Sequence, residues 1–586
     1  MKKLICTCSA LLIILAGCSG EASAPTEVAL TAGKYKGTAT GFHAPITVEV
    51  EVDEKSILSV KVTEHAETRF IADLAINQLP QDIVEKQSVN LDTYSGCTVS
   101  SGAVLAAVKD ALSQAGDVSA FNKEKEKVEV KDETLDTDVV VIGGGTAGLS
   151  AAITAKENGA NVILVEKLDR VGGSTVESGG IIYATGSPIN AEVDNDVDAL
   201  VEYWQMRAEG NADENMLRIA AEGSAETIEK MMEWGVLFSD KVGASGTSAA
   251  QRALYATNEN AAGASTDGVD FIVPMLERAK ELGVEVLTST QATELLTNDG
   301  IVSGIKATSD DINYTINAKS VIIATGGYDL NKEMMEEYSP ELAGSWAVSS
   351  PGNTGDGIKM AESVGAATEY TGGVIGFKII DNSTHYIEQS NMLGWTGQLG
   401  VTNQGTRFGN ESADYPIFCT SLINAQKNGA EKFYLIVDSS VDAYAGLAES
   451  ALSKNLAVKA DTLDELAKNA GIDEEMFKET VDKYNTQAIN GETDEFGKSG
   501  FAPVAKAPFY AVEIKPATLG TIGGLLLSEE AEVLDKDGNA IPNLYAAGEV
   551  ANSQFFYKEY PASGSSISIS TTFGRIAGES AANNAQ

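Results

Sequence analysis

The chain is poor in several residue types, and each shortage excludes something. Of its 586 residues only three are histidines, His43, His65 and His385. That argues against histidine-rich metal sites, so no metal is expected, and it weakens any mechanism needing several imidazoles. There are five cysteines. Cys6, Cys8 and Cys18 fall at the extreme N-terminus, which leaves Cys97 and Cys419 for the body of the protein. Two cysteines cannot build a disulfide framework, and no CxxCH is present for a c-type haem. Cations are scarce: 42 Lys and Arg against 84 Asp and Glu give a formal charge of −42. Such a field repels phosphate backbones, so nucleic acid is not an expected partner. Aromatic residues make up 6%. What is present is ordinary for a folded chain, 43% hydrophobic and 22% charged, with 57 glycines. At roughly 100–200 residues per domain, three or four domains are expected.

The longest apolar run is Leu4 to Ala16, behind Lys2 and Lys3. It is too short to span a bilayer and reads as a secretory signal over residues 1–17. Leu15-Ala16-Gly17-Cys18 resembles a bacterial lipobox, which implies lipidation at Cys18 and a membrane anchor on the extracytoplasmic face. Residues 18–30 are small and polar, a tether. Residues 31–118 form a first compact unit, with alternating strands at Ile46–Val52 and Ile57–Val62 and an amphipathic helix over Ala103–Leu112. Residues 119–136 are dense in both signs of charge and read as a linker. From Thr137 onward strand-like and helical patterns alternate, as in an α/β domain.

The segment Asp92-Thr93-Tyr94-Ser95-Gly96-Cys97-Thr98-Val99-Ser100-Ser101 sets hydroxyls and a glycine just ahead of the helical pattern. Backbone N–H groups in such a turn can cradle phosphate. Together with Gly33-Lys34-Tyr35-Lys36-Gly37 and Glu64-His65-Ala66-Glu67-Thr68, it resembles FMN-binding domains and their DxxSGATxTS segment. The resemblance implies FMN attached covalently to Thr98 by a flavin transferase. Cys97 stands where those domains have Ala, and is still small.

Asp138–Ile142 is a buried-strand pattern, followed by Gly143-Gly144-Gly145-Thr146-Ala147-Gly148, a helical stretch to Asn158, and a second strand, Asn161–Val165, ending at Glu166. Gly143, Gly145 and Gly148 permit a tight turn and close approach of a pyrophosphate to a helix N-terminus, and Glu166 can accept from ribose hydroxyls. Three further segments resemble the flavoproteins of the fumarate reductase and succinate dehydrogenase superfamily. They are Gly172-Gly173-Ser174-Thr175 with Ser178-Gly179-Gly180, Val321–Gly327, and Asn543–Glu549 with Phe573–Gly578. The resemblance implies non-covalent FAD, with Lys167, Gly173, Ser174, Thr175, Gly179, Gly180, Gly326, Asp356, Gly548, Glu549, Ser566 and Ile567 as further contacts. It also implies a Rossmann-like α/β FAD domain split into residues 137–370 and 513–586 around an α+β cap, 371–512, with the small α+β FMN unit in front. Such fusions resemble bacterial extracellular reductases of fumarate, urocanate and related acids, in which FMN relays electrons from a quinol- or flavin-linked membrane donor.

The substrate reading turns on arginine, of which the chain has eight. Thr406–Tyr415 resembles the superfamily's RFxxExxxR segment, with Tyr415 where the proton-donating Arg stands; Leu519–Gly524 lacks both histidines of HHTMGG; and Tyr560-Pro561-Ala562-Ser563-Gly564 replaces NRLGG. Tyr-Pro-x-x-Gly is similar to 3-ketosteroid dehydrogenases. That resemblance implies that Tyr560 and Gly564 hold a ketone oxygen, that Tyr415 exchanges the α-carbon proton, and that a second tyrosine, here Tyr255, supports them. The expected activity is therefore reduction of an α,β-unsaturated ketone such as a 3-ketosteroid. The alternatives are an acrylate-type acid (urocanate, cinnamate or fumarate) bound through Arg170, Arg207, Arg218 or Arg252, and an electron-transfer lipoprotein.

Overall fold

A computed structural model describes residues 30–123, 129–258, 267–379, 399–413, 415–453 and 455–586. The signal, the lipobox and Cys18 lie outside the described residues. Among the described residues no helix is long and apolar enough to cross a membrane.

The first unit is a three-stranded antiparallel sheet, Gly33–Thr40, Pro45–Val52 and Ile57–Glu64, packed on the helix Thr98–Ala115. Strict alternation puts Ile46, Val48, Val50 and Val52 on one face, all 2% exposed or less. Burial of each such side chain contributes about 1.5–3 kcal/mol. They meet Val104, Ala107, Val108 and Ala111 of the helix. The helix rides so close that a Cβ on Gly37 would lie 2.0 Å from the Ala107 carbonyl oxygen.

The second unit is built on parallel strands in the order Glu285–Leu287, Val162–Val165, Lys131–Ile142, Ile312–Ile323, Ala540–Ala546, with two antiparallel strands, Ile301–Thr308 and Gln291–Asn298, continuing from Ile312–Ile323. The central runs, Val139–Ile142 and Val162–Val165, are buried on both faces, which is why they read as unbroken apolar stretches. The linker expected over 119–136 needs correction. Residues 131–136 are strand, in register with 312–317, so their charges sit on an exposed strand extension.

The cap is a sheet with helices on both sides. Along Phe433–Asp438, Phe433, Leu435 and Val437 enter one apolar cluster, and Tyr434 and Ile436 the other. The expected cap limits also shift. The 370/371 boundary falls inside the strand Thr368–Ile379, and 512/513 inside the 17-residue strand Phe509–Leu525. That long strand pairs with cap strands through its first half and with Thr368–Ile379 through its second. Cap and FAD unit therefore share a continuous backbone element, which no composition shift marks.

Candidate active site

The parallel strands end at glycine turns that surround a cavity of ≈ 370 Å³. Gly143 (φ +103°) opens the first turn; a Cβ there would lie 2.3 Å from the Ala324 carbonyl oxygen, and one on Gly148 would lie 1.9 Å from that of Gly143. Gly148 does not line the cavity but lets the helix Thr146–Glu157 start hard against the turn. Gly145 is different. Its added Cβ would meet nothing nearer than the Gly173 Cα at 4.0 Å, so two glycine turns face each other across open space above a helix N-terminus. That is a cradle for a pyrophosphate. Thr325 lines the cavity, and its buried Oγ1 has no hydrogen-bond partner.

The remaining predicted contacts gather here. Glu166, Lys167, Gly173, Ser174, Thr175, Gly179, Gly326, Asp356, Gly548, Glu549, Ser566 and Ile567 all line the cavity. Gly180 does not: a Cβ there would meet the Asp267 backbone, so it serves packing. Glu166 Oε2 accepts from Gly144 N (2.8 Å) and Oε1 from Leu168 N (2.9 Å), which braces the turn; burial raises its carboxyl despite both donors. Lys167 Nζ donates to Thr354 Oγ1 (2.6 Å) and Asp356 Oδ2 (2.8 Å). Burial pushes the Asp356 carboxyl up, but Lys167 and its hydrogen bonds more than offset this and leave it below its ordinary value.

Glu549 is a further buried carboxylate on the wall. Burial and the nearby Asp329 push it up to about 7, against hydrogen bonds from Thr521 and Asn353. Asn353 Nδ2 bridges Glu549 Oε1 (3.1 Å) and Asp329 Oδ1 (2.7 Å). Sequence reasoning missed Asn353, Asp329 and Thr521. They come from three separate loops and strands and carry no motif.

Tyr560 is 6% exposed and lines the same cavity as Gly564. Its Oη accepts from Ser566 N at 2.9 Å, at the start of the 21-residue helix Ser565–Ala585. Burial pushes the phenol up to about 12 against the pull of the Ser566, Gly564 and Ser565 amides, so at neutral pH it keeps its proton. A hydroxyl that accepts from a helix N-terminus is a strengthened donor toward whatever oxygen faces it.

Other expected residues are not brought together. Tyr415 opens the helix Tyr415–Lys427, but its side chain lies outside the described residues. Tyr255 does not line the cavity; it pairs across the sheet with Ile181, and its hydroxyl leans over the neighbouring strand against Gly243. The four arginines offered for a carboxylate also stand elsewhere. Arg170 reaches Gly96 O and Glu177, Arg207 pairs with Glu559 (3.1 Å), Arg218 with Asp198 (2.8 Å) and Arg252 with Asp194 (2.8 and 3.0 Å). Arg407 is bound to Glu411 (2.7 Å) and Asp494 (2.6 Å) within the cap. Among the described residues no arginine lines the cavity. Thr98 does not line it; it is exposed, the first residue of its helix.

The family profile for an FAD binding domain matches residues 138–567, and that for an FMN-binding domain matches residues 41–113. The chain belongs to the flavoprotein fumarate reductase superfamily. Within it, the chain is 30% identical to a urocanate reductase of Eggerthella lenta, over 97% of this chain and 96% of that protein. It is also 30% identical to an NADH:acrylate oxidoreductase of Vibrio harveyi, over 94% of this chain but only 61% of that longer protein. Among solved structures, a flavocytochrome c3 fumarate reductase superposes with TM-score 0.68 at 28% identity, covering 80% of this chain and 84% of that one. A 3-ketosteroid-Δ4-(5α)-dehydrogenase of Rhodococcus jostii gives TM-score 0.63 at 25% identity, covering 76% and 97%. This superfamily member is a flavin-dependent oxidoreductase with an FMN-binding domain ahead of its FAD domain.

Proposed function

We propose that the chain reduces the C=C bond of an α,β-unsaturated carbonyl compound, with the carbonyl oxygen held by the Tyr560 hydroxyl and the Gly564 amide. The observation that carries this reading is the Tyr560 phenol, buried in the lining of the cavity and accepting from Ser566 N at a helix N-terminus, where burial pushes it up to about 12. FAD, when bound, supplies a hydride to the activated carbon. The chain's own part is electrostatic. Negative charge grows on the carbonyl oxygen as the β-carbon is reduced, and Tyr560 donates to it there. One such donor is typically worth about 3–4 kcal/mol. Tyr415, at the start of its cap helix, is proposed to deliver the α-carbon proton.

Two substrate classes fit. The relatives weigh toward an acrylate-type acid, and across the comparisons this is the better supported class. A helix N-terminus with a phenol donor can receive a carboxylate without arginine. One observation favours a neutral ketone such as a 3-ketosteroid: no arginine lines the described wall, while the tyrosine stands where the ketosteroid pattern has it. FMN on Thr98, attached by a flavin transferase, is proposed to bring electrons from a membrane donor. The Leu15–Cys18 segment supports a lipid anchor outside the cytoplasmic membrane.

The test is anaerobic. Photoreduced, flavinylated enzyme is mixed separately with urocanate, cinnamate, fumarate and a 3-keto-4-ene steroid, and products are identified. Rapid reoxidation with a saturated product assigns the class. Reoxidation only by soluble acceptors, with no organic product, would overturn the proposal in favour of an electron-transfer lipoprotein.

A further inference from the structure

The segment carrying Thr98 is clamped to the FAD unit. Ser95 donates through N and Oγ (3.0 Å) to Asp169 Oδ2, and its Oγ accepts from Asp169 N at 3.1 Å. Asp169 Oδ1 is held in turn by Ser289 Oγ at 2.5 Å. The next residue, Arg170, lays its guanidinium against Gly96. A Cβ on that glycine would sit 3.1–3.4 Å from Nη2, Nε and Cζ, and Nη2 reaches Gly96 O at 3.4 Å. Arg170 is 7% exposed, its Nε has no hydrogen-bond partner, and its ion pair with Glu177 is long, 3.4 Å. A buried cation so thinly bonded is costly and does little for stability. A second contact, Arg69 with Asp270, flanks the first.

Asp169 and Arg170 lead directly into the turn whose Gly173, Ser174 and Thr175 line the FAD cavity. Arg170 to Gly173 is at most roughly 11 Å of chain, and Gly96 to Thr98 at most roughly 7 Å. We infer that Asp169 and Arg170 are a latch that seats the FMN-bearing turn on the rim of the FAD cavity, and that this latch sets how fast electrons pass between the two flavins. Two electrons leave reduced FMN, which returns to its oxidised form, and enter oxidised FAD; protons are released and taken up through solvent. Both residues are positioning residues, and the inference rests on the reading of Thr98 as the FMN carrier.

The test uses flavinylated holoenzyme in four forms: unmodified, Arg170→Gln, Arg170→Lys and Asp169→Asn. Amide hydrogen exchange is followed over residues 92–98, with 143–150 as the control for a folded FAD turn. Exchange over 92–98 should rise tenfold or more in Arg170→Gln and Asp169→Asn while 143–150 stays protected. Photoreduced enzyme is then mixed with an acceptor that the unmodified protein uses. The FAD reoxidation phase should stay within twofold and the later FMN phase should slow tenfold or more, with part of the rate recovered in Arg170→Lys. Unchanged exchange over 92–98, an FMN phase at the unmodified rate, or both phases slowed alike would overturn the latch. If no unsaturated acid or ketone reoxidises the unmodified enzyme, the substrate reading fails, and the exchange measurement decides the latch alone.

Discussion

The molecule uses a glycine turn ahead of a helix twice, to opposite ends. At Gly143–Gly148 the turn is walled in: Thr146 is 2% exposed, and Leu149, Ala151, Ala152 and Ile153 are fully buried. At Gly96–Thr98 the turn is open, with Thr98 exposed and Val99 43% exposed. A flavin held without a bond needs enclosure, because only contacts retain it. A flavin attached by an enzyme needs the reverse, a hydroxyl that a transferase can reach. A glycine turn ahead of a helix is thus enclosed in one unit and open in the other, as the proposed attachment at Thr98 requires.

The largest effect expected from breaking this contrast is at the walled turn. Gly148→Ala forces a Cβ to 1.9 Å from a backbone oxygen. The variant should lose FAD, measured by absorbance after gel filtration, and lose about 1–3 kcal/mol or more of stability. Next is Thr98→Ala, which should abolish covalent FMN in the intact mass while FAD content stays at one per chain. A third variant sharpens the wall itself. Folded Glu549 holds its proton up to about 7, whereas unfolded it releases it near 4.5. Between those values the folded state binds more protons, so the stability of the apo protein should fall as pH rises from about 4.5 to about 7. Glu549→Gln should flatten that slope in urea titrations. The smallest effect is at the open turn's helix. Gly102 is interior to it and a Cβ there meets nothing within 4 Å. Gly102→Ala should stabilise the protein by about 0.5–1 kcal/mol, with flavinylation intact.

What the sequence made legible follows from where its constraints are local. The strand, turn and helix at Asp138–Glu157 are one contiguous pattern, so the FAD turn could be read directly, whereas the bonds of Glu166 to Gly144 N and Leu168 N were not. The alternation at Ile46–Val52 did the same for the FMN sheet. The bridge from Asp329 through Asn353 to Glu549 could not be read, because each residue comes from a different part of the chain. Nor could the direction in which Tyr255 leans across its sheet be read, since the strand that carries Gly243 is a separate element. The arginine count did not say where each guanidinium lies: Arg170, Arg207, Arg218 and Arg252 each bond to groups outside the cavity lining or to Glu177. A charged residue in a sequence does not say what it faces.

The most direct measurement is the single-turnover reoxidation of photoreduced Tyr560→Phe, flavinylated and with FAD bound, by the substrate that the unmodified enzyme accepts. Removal of one oxyanion donor should slow FAD reoxidation by about 10²–10³-fold while FAD content and the cofactor's absorbance stay unchanged. Reoxidation at the unmodified rate would contradict the placement of the carbonyl oxygen at Tyr560.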